Sequence, residues 1–314
     1  MIRMMSVWFK IISSLFWTSP KLICFLLLPW TALSATSAAN SYVYGTGVSG
    51  PVEAFTTYTV NVDARDAMGV NIGLGGDTFV IEIRNKCTVT DNFNCYEDTG
   101  AKKPLTNTIF GTMTDLGTGT YTFDYSVIQS GEVSVLVMLM NGGGIYGEWF
   151  TNANWSGVPA KKNITADLTF NWAGGEDLLP GIDDHVSAKF YTKLKPPTTD
   201  TYTFYLTSDD GSKLTLDGNV EINKLGVVCV CQDTFTATLT GGKYYDLKIE
   251  FFEDEQGAIL NLRWSSSTIS EQSIPSTYFS YPEYVGSAPY QVTTTCPTGY
   301  SGTDTSSPTQ CAVI

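Results

Sequence analysis

The chain has 314 residues, and its 31 acidic residues outnumber 18 basic ones to give a formal net charge of −13. This length suggests two ordinary domains. So acidic a surface repels nucleic acid and anionic lipid, which excludes both as expected partners, whereas it suits cations and an extracellular environment.

The first 39 residues have the organisation of a secretory signal peptide. Arg3, Lys10 and Lys21 provide a basic start without any acidic residue, an apolar block follows at 22–28, and small residues fill 34–39. This order predicts cleavage after Ala39, with a retained anchor as the alternative. No later stretch is long and apolar enough to span a membrane, so we expect a secreted or cell-surface protein.

Alternating apolar and polar residues predict strands in the next part of the chain. Segments with this period lie at 58–65, 79–84, 121–126 and 133–139, and Gly- or Asp-rich turns separate them. The pattern is typical of half-buried antiparallel strands in a β-sandwich.

This first half resembles a filamin-type immunoglobulin-like repeat, and we assign it to residues 40–150. The resembling segments are Gly45-Thr46-Gly47, the strand at 58–66, Gly75-Gly76-Asp77, the stretch 115–121 and Gly131-Glu132-Val133. The chain departs from the family at an inserted loop, 86–103, which carries Cys87 and Cys95. The resemblance implies a spacer that docks other extracellular proteins.

A polar, turn-rich segment at 151–163 is the predicted linker between the two domains. It contains Asn154 and Asn163, which begin the sequons Asn-Trp-Ser and Asn-Ile-Thr. Behind a signal peptide, we expect both asparagines to carry glycans on exposed loops.

The second half continues the period-two pattern and resembles a PA14 domain over residues 164–281. No helical window competes, so the whole chain is predicted to be all-β, with a PA14 sandwich or barrel as the second domain. The resembling segments are 183–188, 201–204, 207–218, 239–245, 249–253, 262–264 and 274–275. The resemblance implies a module of adhesins, glycosidases and toxins that in several members binds carbohydrate, sometimes through calcium.

Asp209 and Asp210 are the predicted calcium ligands. Calcium takes about six to eight oxygen ligands, and neighbouring aspartates on an extended chain point apart unless the backbone bends sharply or their peptide bond is cis. In calcium-dependent lectin-like members the resemblance implies the cis bond, and Asp254 is the matching third ligand where those members often have asparagine. The alternative is that Ser-Asp-Asp-Gly is an ordinary turn.

Aromatic side chains of the second half suggest a surface on which a sugar stacks. Tyr244 and Phe252 fall on the outward row of their strand and are the predicted ligand contacts, whereas Tyr245 and Trp264 fall on the inward row and belong to the core. His185, the single histidine, has no nucleophile or defined partner, so we expect it to be structural or solvated. Because the two resemblances account for both domains as non-catalytic modules, we expect no enzyme activity.

Six cysteines outside the signal peptide form three local pairs, which predicts disulfides in a secreted protein. Cys87 with Cys95 and Cys296 with Cys311 close short loops, but Cys229 and Cys231 are two residues apart and their pairing stays open. The tail at 282–314 has too few apolar residues for a core and resembles the start of a cysteine-rich extracellular repeat.

We therefore expect a secreted recognition or adhesion protein whose PA14 module binds glycans or glycoproteins, with calcium as the cofactor. The alternative is a structural component of an extracellular coat, in which both modules pack against other proteins. A third reading makes the chain the accessory part of a larger secreted enzyme.

Overall fold

The computed structural model describes residues 35–85, 109–172, 177–227, 229–301 and 309–314. Within them the chain is all-β, as predicted, and the one helical segment there is a three-residue 3₁₀ turn, Ser276–Tyr278. No helix of this part of the chain has the length and apolar character that a membrane crossing needs. The predicted signal sequence up to residue 34 lies outside the described residues, as do Cys87 and Cys95.

The strands are numbered in chain order. Strands β1–β8 are Tyr42–Tyr44, Val52–Glu53, Tyr58–Asp63, Phe79–Asn85, Ile109–Thr112, Thr114–Asp115, Thr120–Tyr125 and Gln129–Gly142. Strands β9–β16 are Ile145–Phe150, Lys161–Thr165, Thr169–Trp172, Val186–Leu194, Asp200–Asp209, Gly211–Leu216, Asn219–Asn223 and Cys231–Leu239. Strands β17–β24 are Tyr245–Glu253, Ala258–Ser265, Gln272–Ser273, Phe279–Tyr284, Tyr290–Thr295, Tyr300–Ser301, Thr309–Gln310 and Ala312–Val313.

The first sandwich packs a four-stranded sheet, in the order β1-β3-β7-β6, against strands β5, β4, β8, β21 and β2 of a larger sheet. The alternation in its strands explains the packing, since Val60 and Val62 of β3 are fully buried while their polar neighbours are not. The ring of Tyr121 on β7 lies 4.6 Å from that of Phe79 on β4, which joins the two sheets through one apolar core.

The second sandwich has a core of its own between two sheets. One has the order β11-β18-β13-β16, and the other contains β15, β14, β17, β12, β9 and β10. Trp264, Phe204 and Tyr202 are fully buried between them. The inward positions of Trp264 and Tyr245, predicted from the alternation, place both side chains in this core.

The second sandwich is inserted between β8 and β21 of the first. The chain leaves the first sandwich at the end of β8 and returns after β20, when β21 pairs with β8. Val285 and Val292 then complete the first core. Strand β20 pairs with both β8 and β12, so one sheet runs continuously through the two sandwiches.

This topology groups the chain differently from the predicted domain boundaries. Strand β9, assigned to the first domain at 40–150, pairs with β12 of the second, and β10 begins inside the predicted linker 151–163. The segment 282–314, predicted to lack a core, contributes β21 to the first sandwich. The alternation of apolar and polar residues identifies a strand but not the strand with which it pairs. The insertion of one sandwich into the other could therefore not be predicted from the sequence.

Charged and apolar contacts bury the junction between the two sandwiches. The Nζ atom of Lys193 on β12 lies 2.5 Å from Oδ1 of Asp246 on β17 and 3.6 Å from Oε2 of Glu82 on β4. Arg84 pairs with both Glu82 and Asp246. A separate apolar cluster packs beside them, formed by Val80, Leu136, Met138, Met140 and Tyr244.

The residues around the predicted cleavage site are part of the first sandwich. Ala38 is buried in its core, and the carbonyl of Ala38 accepts a hydrogen bond from the N–H of Gly286 at 3.0 Å. A cut after Ala39 would remove this contact. The exact cut site stays a prediction.

Two disulfides lie within the described residues. Cys296 is joined to Cys311, as predicted, and Cys229 to Cys231, the pairing that the sequence left open. The first of these anchors the tail, where the N–H of Cys311 donates to the carbonyl of Ile128.

Candidate functional site

Asp209 and Asp210 lie where the chain crosses from one sheet of the second sandwich to the other. Strand β13 ends at Asp209 and β14 begins at Gly211. The peptide bond between the two aspartates is cis, the arrangement that the resemblance implies. The ring of Phe252 covers Gly211 so closely that an added Cβ would lie 2.1 Å from its Cε1 atom, and only glycine fits there.

The hairpin between β17 and β18 meets the aspartate pair, as predicted. The N–H of Asp254 donates to Oδ2 of Asp210 at 2.8 Å, and the N–H of Gln256 donates to Oδ1 of Asp184 at 3.0 Å. The N–H of His185 donates to the carbonyl of Asp254. Three acidic segments that are distant in sequence therefore meet at one end of the second sandwich.

Glu253 is the residue of this site that the sequence analysis missed. Its side chain is fully buried near the aspartate pair, and neither carboxylate oxygen has a hydrogen-bond partner among the described residues. The alternation along β17 indicated that Glu253 is buried, because this residue continues the inward row of Leu247, Ile249 and Phe251. A charged residue on a core-facing row needs a compensating partner.

Burial and mutual repulsion shape the titration of this cluster. Burial, followed by the charges of Asp210 and Asp209, raises the pKa of Glu253 to about 8. Burial and then the charge of Asp210 also raise the pKa of Asp209. Negative charge is therefore costly here unless a proton or a cation neutralises it.

The donor set fits a hard cation such as calcium better than zinc. Carboxylate oxygens from Asp209, Asp210 and Glu253 are available, and calcium also accepts backbone carbonyls and water. No three His, Cys, Asp or Glu side chains of the described ranges already have the spacing of a metal site. Calcium would therefore draw on carbonyl or water ligands as well, or on a small movement of the hairpin.

Asp254, the predicted third ligand, turns its carboxylate elsewhere. Its Oδ1 atom lies 2.9 Å from Nδ1 of His185, and both side chains are about half exposed, at 51% and 62%. Asp254 thus reaches Asp210 through its backbone N–H, whereas the buried carboxylate of its neighbour Glu253 lies close enough to Asp210 and Asp209 to feel their charges. His185 positions the hairpin, a contact with no signal in the sequence.

The two aromatic residues predicted to contact a ligand lie at opposite ends of β17, with Tyr244 immediately before its first residue and Phe252 next to its last. Phe252 lies beside Gly211 and is joined edge-on by Trp155, with ring centroids 6.5 Å apart. The indole N–H of Trp155 donates to carbonyls of Ala188 and Phe251, which fixes the ring over the sheet. Tyr244 is instead buried at the junction between the sandwiches, because its ring packs on Phe110.

The two predicted glycosylation sites have different surroundings. Asn154 is exposed on the loop that holds Trp155. Asn163 lies on β10, and its Oδ1 atom accepts the indole N–H of Trp149 at 2.8 Å, so the side chain faces the partly buried side of the strand. The geometry favours Asn154 as the acceptor, whereas a glycan on Asn163 conflicts with this contact.

Comparisons with known proteins support a PA14 domain in this part of the chain. Residues 141–278 match the family model of the PA14 domain. Anti-sigma-I factor RsgI3 of Acetivibrio thermocellus is 31% identical over 141 residues, which are 45% of this chain and 22% of that protein. The chain thus spans about a fifth of the length of this relative.

Two solved structures are also similar. An anti-sigma factor domain-containing protein is 31% identical with a TM-score of 0.41, covering 43% of this chain and 47% of that one. The PA14 sugar-binding domain from an RTX adhesin is 16% identical with a TM-score of 0.37, covering 46% of this chain and 99% of that one.

Proposed function

We propose that the second sandwich is a calcium-dependent glycan-binding module of a secreted or cell-surface recognition protein. The observation that carries the proposal is the uncompensated carboxylate of Glu253, fully buried beside Asp209 and Asp210. A buried ionised carboxylate is costly unless it is paired or binds a metal. A cation at this point would satisfy Glu253 and both aspartates together.

The position of the site at the end of the sandwich suits recognition of a sugar. A bound calcium ion would offer coordination positions that sugar hydroxyls can fill in place of water. Phe252 and Trp155 provide an aromatic edge next to Gly211, and aromatic faces offer apolar contact to a sugar ring. Binding of glycans or glycoproteins, rather than catalysis, is the activity that we propose.

The first sandwich would then act as a spacer or as a docking module for other extracellular proteins, as its resemblance to a filamin-type repeat implies. The continuous sheet and the buried charges at the junction give it a fixed attachment to the second sandwich.

A glycan array with and without a calcium chelator tests the proposal. We expect the wild-type protein to bind a subset of glycans, and chelation to remove the signal. Asp209→Asn should weaken glycan binding by at least about tenfold. Loss of a residue that only hydrogen-bonds to a metal ligand typically lowers metal affinity by about that factor, and Asp209 is a proposed ligand itself. Glu255→Gln is the matched control, since Glu255 is exposed on the same hairpin.

Binding that persists unchanged in chelator would contradict the calcium role. An array without signal in any condition would favour the structural alternative, in which the module packs against other proteins.

A further inference from the structure

Strand β16 is an open edge of the second sandwich. It pairs with β13 over its whole length, from Cys231 to Leu239, and no other strand of the described residues pairs with it. An edge strand presents a row of backbone N–H and C=O groups that can pair with another chain.

This edge lacks the features that usually prevent such pairing. Natural edge strands are commonly short, bulged, or marked with lysine or proline. Strand β16 has nine residues, contains no lysine, arginine or proline, and pairs with β13 without a register shift. Its one charged residue, Asp233, already pairs with Lys224 at 3.4 Å. The outward row is exposed and uncharged and consists of Gln232, Thr234, Thr236 and Thr238.

A row of aromatic rings on the inner face ends at this edge. Trp264, Phe204 and Phe235 are cross-strand neighbours on β18, β13 and β16. Their ring centroids are 6.4 Å and then 4.8 Å apart. Trp264 and Phe204 are fully buried, whereas Phe235 is only partly buried, and no strand of the described residues pairs with β16 on its far side. A further aromatic ring would continue the row.

We infer that β16 pairs with β16 of a second copy of this chain, antiparallel about a two-fold axis through Phe235. In this register Phe235 faces Phe235 of the other copy, which extends the aromatic row and covers its exposed end. Thr234 faces Thr236, and such threonine pairs are favourable neighbours in antiparallel sheets. Asp233 faces the neutral Ala237, so no like charges oppose each other.

The overall charge favours this edge as the contact between copies. A chain with a net charge of −13 repels its own copies, so association requires a surface poor in charge. Strand β16 provides one, and a two-fold contact requires a surface complementary to itself. The inference is independent of the calcium site, because Thr234, Phe235 and Thr236 take no part in it.

Sedimentation equilibrium of the full mature chain tests the inference. We expect a concentration-dependent monomer–dimer equilibrium. The double variant Thr234→Lys with Thr236→Lys should weaken it by at least about tenfold, since it places lysines opposite lysines across the axis. Thr169→Lys is the control, because Thr169 is exposed on β11, the opposite edge of the same sheet. Lysine on an edge strand is well tolerated, so both proteins should fold normally.

A cross-linking experiment tests the register. Chains carrying Thr234→Cys mixed with chains carrying Thr236→Cys should form a mixed disulfide-linked dimer on mild oxidation, and more of it than either variant alone. A protein that stays monomeric at every concentration overturns the inference. It is also overturned if Thr169→Lys weakens the dimer as much as the double variant, or if cross-linking is equal in all three samples.

Discussion

Replacement of Glu253 with glutamine is expected to raise the stability of the metal-free protein at pH 8 and to remove most of its decline between pH 5 and pH 8. The pKa of Glu253 is about 8 in the folded protein, against about 4.3 in an unfolded chain. Between these values the folded state keeps a proton that the unfolded state has released. Stability therefore falls as the pH rises, and the full penalty is present above pH 8.

The size of this effect follows from the separation of the two pKa values. Each unit of difference corresponds to about 1.4 kcal/mol, so the free energy of unfolding should decline on the order of 3–5 kcal/mol across the window. Urea unfolding in chelator at several pH values measures it. Glu255→Gln is the control and should keep the decline, whereas saturating calcium should flatten it in the wild type. An equal decline in Glu253→Gln would mean that another group causes it.

Replacement of Lys193 with methionine should destabilise the protein by about 3–5 kcal/mol, the usual cost of removing one partner of a buried ion pair. The side chain of Lys193 is only 6% exposed between Asp246 and Glu82. Burial alone would lower the pKa of Lys193, but the charges of Asp246 and Glu82 outweigh burial and raise it. Without the ammonium group, the carboxylates of Asp246 and Glu82 lose one of the two cations that they share and keep Arg84.

Denaturant unfolding at neutral pH measures the cost. Lys189→Met is the matched control, because Lys189 lies on the same face of β12 but only partly buried, with its Nζ atom 5.9 Å from the ring centre of Phe150. We expect it to cost less than about 1 kcal/mol. Adding Asp246→Asn to Lys193→Met should recover part of the loss, because the two changes act on one network. If Lys193→Met and Lys189→Met lowered the free energy of unfolding by similar amounts, the buried ion pairs at the junction would not be the cause of the loss.

The strands and cores of this fold were predictable, but the way in which the chain connects them was not. Alternation identified β3, β17 and β18 and placed Trp264 inward, because one buried face imposes a period of two. It could not show that β9 pairs with β12 or that β21 returns to β8, since pairing depends on contacts distant in sequence. The insertion of one sandwich into the other was therefore visible only in the structure.

The candidate site was predictable in its location and only partly in its members. The resemblance brought Asp209, Asp210 and the following hairpin together, but it favoured Asp254 over Glu253. The inward row of β17 ends on Glu253, so the period-two rule contained the better choice. Tyr244 was misplaced for a different reason: its outward row is covered by the first sandwich, which sequence alone did not position there.

Calorimetric titration of the chelator-treated protein with calcium at pH 7 tests the central claim most directly. We predict a single binding site, lost in Asp209→Asn and retained in Glu255→Gln. Because Glu253 is largely protonated at this pH, binding should release about one proton, so the measured heat should change with the ionisation enthalpy of the buffer. The absence of binding heat in two different buffers, or equal affinity in Asp209→Asn, would contradict a calcium site at Asp209, Asp210 and Glu253.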